Sequence, residues 1–173
     1  MNLAALKRCR FLLVGLLLLF IGCSDEKESN PSSVSGYNYT DYYIDQFNIT
    51  NEGQQLSAGG ANMLPKDAGQ ERSESGGMCC IGIPSKWRPG MKLVVRWRRD
   101  TKPYDEDRSG DQWLTAITDV PPYGPRTYGF VIHFLSGDRI RAEIQDKPQM
   151  PEKPADTDPY IVQGMLDKEL NKK

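Results

Sequence analysis

The sequence is nearly devoid of histidine: His133 is the only one in 173 residues. A hydrolytic triad needs a nucleophile and an orienting group around its imidazole. No G-x-S-x-G elbow is present to supply the nucleophile. One imidazole cannot build an ordinary zinc site without several thiolates or carboxylates beside it. Cysteine is scarce, with four residues and no C-x-x-C pair, so a thioredoxin-type redox motif is excluded. Charge of one sign is also lacking. The 22 basic and 23 acidic residues leave a formal charge of −1, without the basic excess that marks nucleic-acid binding. Long hydrophobic runs are missing too. The longest, Phe11 to Ile21, has eleven residues and as a helix spans roughly 17 Å, short of a ~30 Å hydrocarbon core. These absences lead to an expectation of a non-enzymatic protein with no metal and no cofactor.

Residues 1–22 have the three parts of an export signal: a basic start (Lys7, Arg8, Arg10), the apolar run, then small Gly22 before Cys23. The stretch Leu19-Phe20-Ile21-Gly22-Cys23 resembles a bacterial lipobox, with Phe20 where that pattern usually has Leu. The resemblance implies acylation of Cys23 and a membrane anchor. By resemblance to Gram-negative lipoproteins, Ser24 rather than Asp after the Cys implies the periplasmic face of the outer membrane over the inner membrane. Three basic residues and no acid leave with the leader, which takes the formal charge from −1 to −4. Residues 23–35, Cys23 and then SDEKESNPSSVS, carry too little apolar surface to offset ordering entropy and read as a flexible tether.

Residues 36–173 read as one β-rich domain. Met91, Leu93, Val95 and Trp97 alternate with Lys92, Val94, Arg96 and Arg98, the period of a strand with one face in a core. Before it, Met78 to Ile83 reads as a second strand, with Trp87, Pro89 and Gly90 making a tight connection. Further strands are expected at Tyr42–Ile49, Trp113–Val120, Tyr128–Leu135 and Arg139–Ile144, the last two joined by a hairpin turn at Ser136-Gly137-Asp138. A short edge strand is expected near Asn62-Met63-Leu64. Apolar residues on both faces of 128–135 mark a central strand. Asp158-Pro159 followed by Ile161, Met165, Leu166 and Leu170 reads as a capped C-terminal helix. The fold class is mainly β: a small antiparallel, sandwich-like domain with long loops and a short C-terminal helix.

Two places stand out as sites. Cys79 and Cys80 are the thiols left to the mature domain. Adjacent strand side chains point to opposite faces, which favours two unpaired, mostly buried thiols; a vicinal disulfide is the alternative that an oxidising compartment permits. The second place is the run from Arg98 to Gln112, read as a long exposed loop dense in both signs. Arg98, Arg99, Tyr104, Asp105, Glu106, Asp107, Arg108 and Asp111 are its candidate partner contacts, because long loops in compact domains are often functional.

GYNYTDYYI (36–44), GGMCCIGIPSKWRPG (76–90), VRW (95–97), VPPY (120–123) and VIHFL (131–135), in this order and spacing, resemble a family of small bacterial lipoproteins. The resemblance spans roughly residues 36–160. Members are often encoded beside lipase effectors of type VI secretion and are regarded as their immunity proteins. It implies a periplasmic, membrane-anchored inhibitor whose partner is a phospholipase toxin, and it identifies no toxin-binding residue. A lipoprotein scaffold of the cell envelope or secretion machinery is the alternative.

Overall fold

The computed structural model describes residues 29–51 and 57–172. Two sheets face each other. The first contains β1 (Ser29–Asn38), β4 (Ser73–Glu74), β5 (Met78–Pro84), β8 (Gly129–Leu135), β9 (Arg139–Gln145) and β10 (Val162–Gln163). Its order is β10-β9-β8-β1-β4, with β5 pairing to the first half of β1. The second contains β2 (Tyr43–Asn51), β3 (Ser57–Gly60), β6 (Lys92–Asp100), β7 (Asp111–Asp119) and β11 (Met165–Leu166), in the order β11-β7-β6-β2-β3. All neighbours are antiparallel except β1 and β8. The molecule is a β-sandwich.

The core follows from alternation. Leu93, Val95 and Trp97 of β6 point inward beside Leu114 and Ala116 of β7, against Phe130, Ile132 and Phe134 of β8. The Phe47 and Trp97 rings both meet Phe134 edge-on, at 5.3 and 5.9 Å between centroids. Alternation breaks in β2, where Ile44, Phe47 and Ile49 are all buried. A register shift between Ile44 and Gln46 explains it, since one irregularity returns residues of opposite parity to the same face. β8 is buried along its whole length. Its outward residues Val131 and Leu135 lie under a second, smaller cluster with Tyr37, Tyr39 and Ile161.

Five expectations require correction. β5 and β6 are not partners: they lie in different sheets, and the turn between them crosses the sandwich. The polar stretch before residue 36 is not a free tether from Ser29 onward. Val34 is fully buried, and the backbone of 29–34 is paired to β5, so the small polar side chains need supply little of the burial. The charged loop is shorter than 98–112: Arg98 and Arg99 belong to β6 and Asp111 opens β7. Ion pairs offset these charges, so their density does not prevent strand formation. The C-terminal helix does not form. Asp158 caps a turn, its side chain accepting from Tyr160 N at 2.8 Å. The chain then places β10 on one sheet and β11 on the other. Gly164 sits between them, and a Cβ there would overlap the Trp97 indole. The expected edge strand at 62–64 is reduced to one bridge, Met63 to Ile44.

Candidate partner surface and the buried histidine

The loop between β6 and β7 covers residues 101–110 and ends in a 3-10 turn, Arg108–Gly110. Its base is cross-braced. Arg98 and Arg108 both reach Asp45 of β2, the latter at 3.3 Å, and Arg108 also meets Asp111 at 2.8 Å. Arg99 binds Asp138 in the β8–β9 turn at 2.8 Å. Within the loop, Asp107 accepts from the backbone and hydroxyl of Ser109 and pairs with Lys102 at 3.1 Å. These hydrogen bonds to Ser109, with help from Lys102, hold the Asp107 carboxyl down at about 2. What remains at the tip is Tyr104, 86 % exposed, beside Asp105 and Glu106, which make no ion pair among the described residues. The eight candidate contacts therefore divide by role. Arg98, Arg99, Asp107, Arg108 and Asp111 hold the loop, and Tyr104, Asp105 and Glu106 face solvent.

Cys79 and Cys80 are both exposed on β5, and their sulfurs are bonded to each other. The reading of two mostly buried, unpaired thiols is corrected, and the vicinal disulfide is the arrangement present. Neither has a partner in β1: the register jumps from Ser32–Ile81 to Val34–Met78, and the two cysteines lie in that irregularity. Cys23 lies outside the described residues.

His133 is completely buried on the outward face of β8. Tyr39 stacks on it at 5.9 Å and lies 3.3 Å from Nδ1 through its hydroxyl. Tyr37 meets the ring edge-on at 5.5 Å. Nε2 faces the Glu143 carboxylate at 3.4 Å, an electrostatic contact without good hydrogen-bond geometry. Burial pushes the imidazole below its ordinary pKa despite the attraction of Glu143. Burial pushes the Tyr39 hydroxyl up to about 12. For Glu143, burial acts upward, but the imidazole contact and the Arg141 charge outweigh it and the carboxyl is lowered. The Tyr39 hydroxyl and Nδ1 share one hydrogen bond, whose direction follows the imidazole tautomer. Arg72 lies 4.0 Å over the Tyr37 ring and Lys153 5.6 Å from the Tyr39 ring, closing this cluster from outside. It is a packed polar layer under the 146–161 segment. Sequence patterning placed His133 on a strand, and nothing local announced Glu143 and Tyr39 as its neighbours.

The stretches that stand out in sequence meet in pairs. Tyr37 and Tyr39 of GYNYT surround His133 of VIHFL. Trp87 of PSKW donates to the Val120 carbonyl at 2.9 Å, and Tyr123 of VPPY donates to the Pro84 carbonyl at 2.8 Å. Asn38 is fully buried with both amide hydrogens bonded, to the Tyr42 and Leu64 carbonyls at 2.8 Å each. Its Oδ1 accepts from Thr40 N and Oγ1. These contacts tie the separate stretches together within the fold. Among the described residues no group of three or more metal-ligating side chains comes together.

Comparison with curated proteins and with solved structures found no match. The family model described as "Protein of unknown function (DUF3304)" matches residues 37–142, more than half of the chain, and the chain belongs to that family.

Proposed function

We propose that this protein is a lipid-anchored immunity protein that binds and inhibits a phospholipase effector of type VI secretion at the periplasmic face of the outer membrane. The observation that carries this reading is the braced 101–110 loop. It presents an exposed tyrosine and two unpaired acids on a base held by ion pairs from three strands. A recognition loop shaped before binding loses less entropy on association. A large aromatic flanked by charge suits the centre and rim of an inhibitory contact. The motif resemblance supplies the class of partner. Inhibition of this kind needs no cofactor and no catalytic group: the inhibitor covers the lipase cleft or blocks its approach to lipid. An anchor at Cys23 keeps it beside the membrane under attack, at high effective concentration.

The test is to mix the purified protein with the lipase encoded beside its gene and to follow binding and residual phospholipase activity together. Tight binding with loss of activity is expected. Two folded proteins that do not associate would move the envelope-scaffold reading to first place.

A further inference from the structure

The two ends of the sandwich differ, and strand polarity says what meets at each. Ser29 at the start of β1 pairs with Pro84 at the end of β5. Asn51 at the end of β2 faces Leu93, and Asp119 at the end of β7 faces Lys92. β8 starts at the same end with Gly129, opposite Gln145 of β9. The 101–110 loop and the β8–β9 turn lie at the opposite end, where Tyr43 faces Asp100 and Asp100 faces Asp111.

At the Ser29 end an open cleft of about 270 Å³ enters between the sheets, walled by Ile81, Ile83, Leu93, Val120, Phe130 and Ile144. Lys92 lines it, and the exposed cations Lys86, Arg88, Arg126 and Lys147 lie on the connections at this end of the sandwich, as do Asp119 and Asp146. Asp146 is already engaged, accepting from Gly124 N at 2.8 Å. None of the five cations is held in an ion pair with the described residues, whereas Arg98, Arg99 and Arg108 at the other end all are. This end therefore offers cations that make no ion pair with the described residues around an apolar opening, while Asp25, Glu26, Glu28 and Glu52 adjoin it in sequence.

The chain also enters the fold here. Cys23 precedes Ser29 by six residues, a reach of at most roughly 20 Å when fully extended. An anchor on so short a lead cannot let the opposite end of the molecule lie against the bilayer in its place without folding back over the domain.

We infer that the Ser29 end is a phospholipid-docking face. Its unpaired cations meet headgroup phosphates, its cleft admits an acyl chain of a bilayer lipid, and the 101–110 loop points away from the membrane. This rests on the anchor reading at Cys23. The orientation gives that reading a geometry: a lipase would be met by the loop above the surface while the domain stands on the lipid.

The experiment uses the full chain, purified from membranes and returned to vesicles of phosphatidylethanolamine and phosphatidylglycerol. The phosphatidylglycerol carries a photoreactive group in its acyl chain. Adducts mapped by mass spectrometry are expected in 81–93 and at Val120 and Phe130, with none in 101–110. The double variant Lys86→Gln with Arg88→Gln should weaken docking roughly 25-fold, at about fivefold for each cation taken from an anionic surface, while the protein still sediments with vesicles. Adducts confined to residues 1–28, or spread equally onto 101–110, would overturn the docking face and leave the anchor standing. A chain that does not sediment with vesicles would remove the anchor and the docking face together.

Discussion

Asn38 shows how much a single polar residue can decide. Buried without solvent, it joins the end of β1 to the Thr40–Tyr42 turn and to Leu64 through four hydrogen bonds. Replacing it removes those bonds and leaves Thr40 N without its acceptor, although Leu64 O keeps Ser73 Oγ and Tyr42 O keeps Thr40 Oγ1, so each bond lost costs about 0.5–1 kcal/mol. Asn38→Ala should lower unfolding free energy by about 3 kcal/mol in urea titration; a loss under about 1 kcal/mol would mean water replaces the side chain. His133 makes a pH prediction. Its pKa is lowered on folding, so the unfolded chain takes up its proton first as pH falls through 6.5. This contribution to stability is complete above that pH and is lost below it. Glu143, also lowered, acts in the same sense further into acid, below 4.5. Tyr37, Tyr39 and Arg72, all raised, face the same cluster and keep one charge state across this range. Melting temperature should therefore fall as pH drops below 6.5, and His133→Gln should flatten that slope. An unchanged slope in the variant would assign the acid sensitivity elsewhere.

At the scale of elements, the 101–110 loop separates shape from contact. Asp45 receives Arg98 and Arg108, and Asp107 closes the loop on Ser109 and Lys102, so both are positioning residues. Asp45→Ala should raise hydrogen exchange across 101–110 while costing about 1 kcal/mol or less, as partly exposed ion pairs do. Asp105→Lys with Glu106→Lys should leave melting temperature unchanged and weaken the complex with the lipase at least tenfold through rim electrostatics. Equal affinity of the double variant would place the contact on another surface. The C-terminal segment teaches the reverse lesson. Asp158-Pro159 and a short apolar stripe have helical character locally, yet Met165 and Leu166 remain more than half exposed and the chain pairs with two sheet edges. Unpaired edge strands offer more hydrogen bonds than an isolated helix of a few turns retains in water.

For the whole molecule, the decisive question is where it stands. Cys23→Ala should release the protein from membranes and reduce protection in cells, while binding by the purified protein stays the same. Fractionation checks the first and mixing checks the second. Equal membrane partitioning of the variant would count against acylation at Cys23. The docking face adds that the released protein should also lose its fixed orientation. Both ends of the sandwich then acquire work: one toward lipid, one toward the partner.

Period-2 patterning was enough to determine most of the strands and the sandwich class, because one buried face forces alternation whatever the partners are. It also marked residues 128–135 as central, since only a strand covered on both sides can carry apolar residues on both. The pattern could not say which strands pair. β5 and β6 look like a hairpin along the chain and belong to opposite sheets. That choice depends on β1 and β2 claiming them first, a matter of non-local hydrogen bonding. Nor could it sort the charged loop, because Arg98 and Glu106 are both charged in sequence and only Asp45, 53 residues from Arg98, distinguishes a brace from a free tip. The lipobox resemblance is legible from five consecutive residues, since it rests on a local motif. The likeness of the Ser29 end to a lipid-facing surface arises only when five cations from four separate stretches are brought to the end of the sandwich that holds the cleft by the tertiary fold.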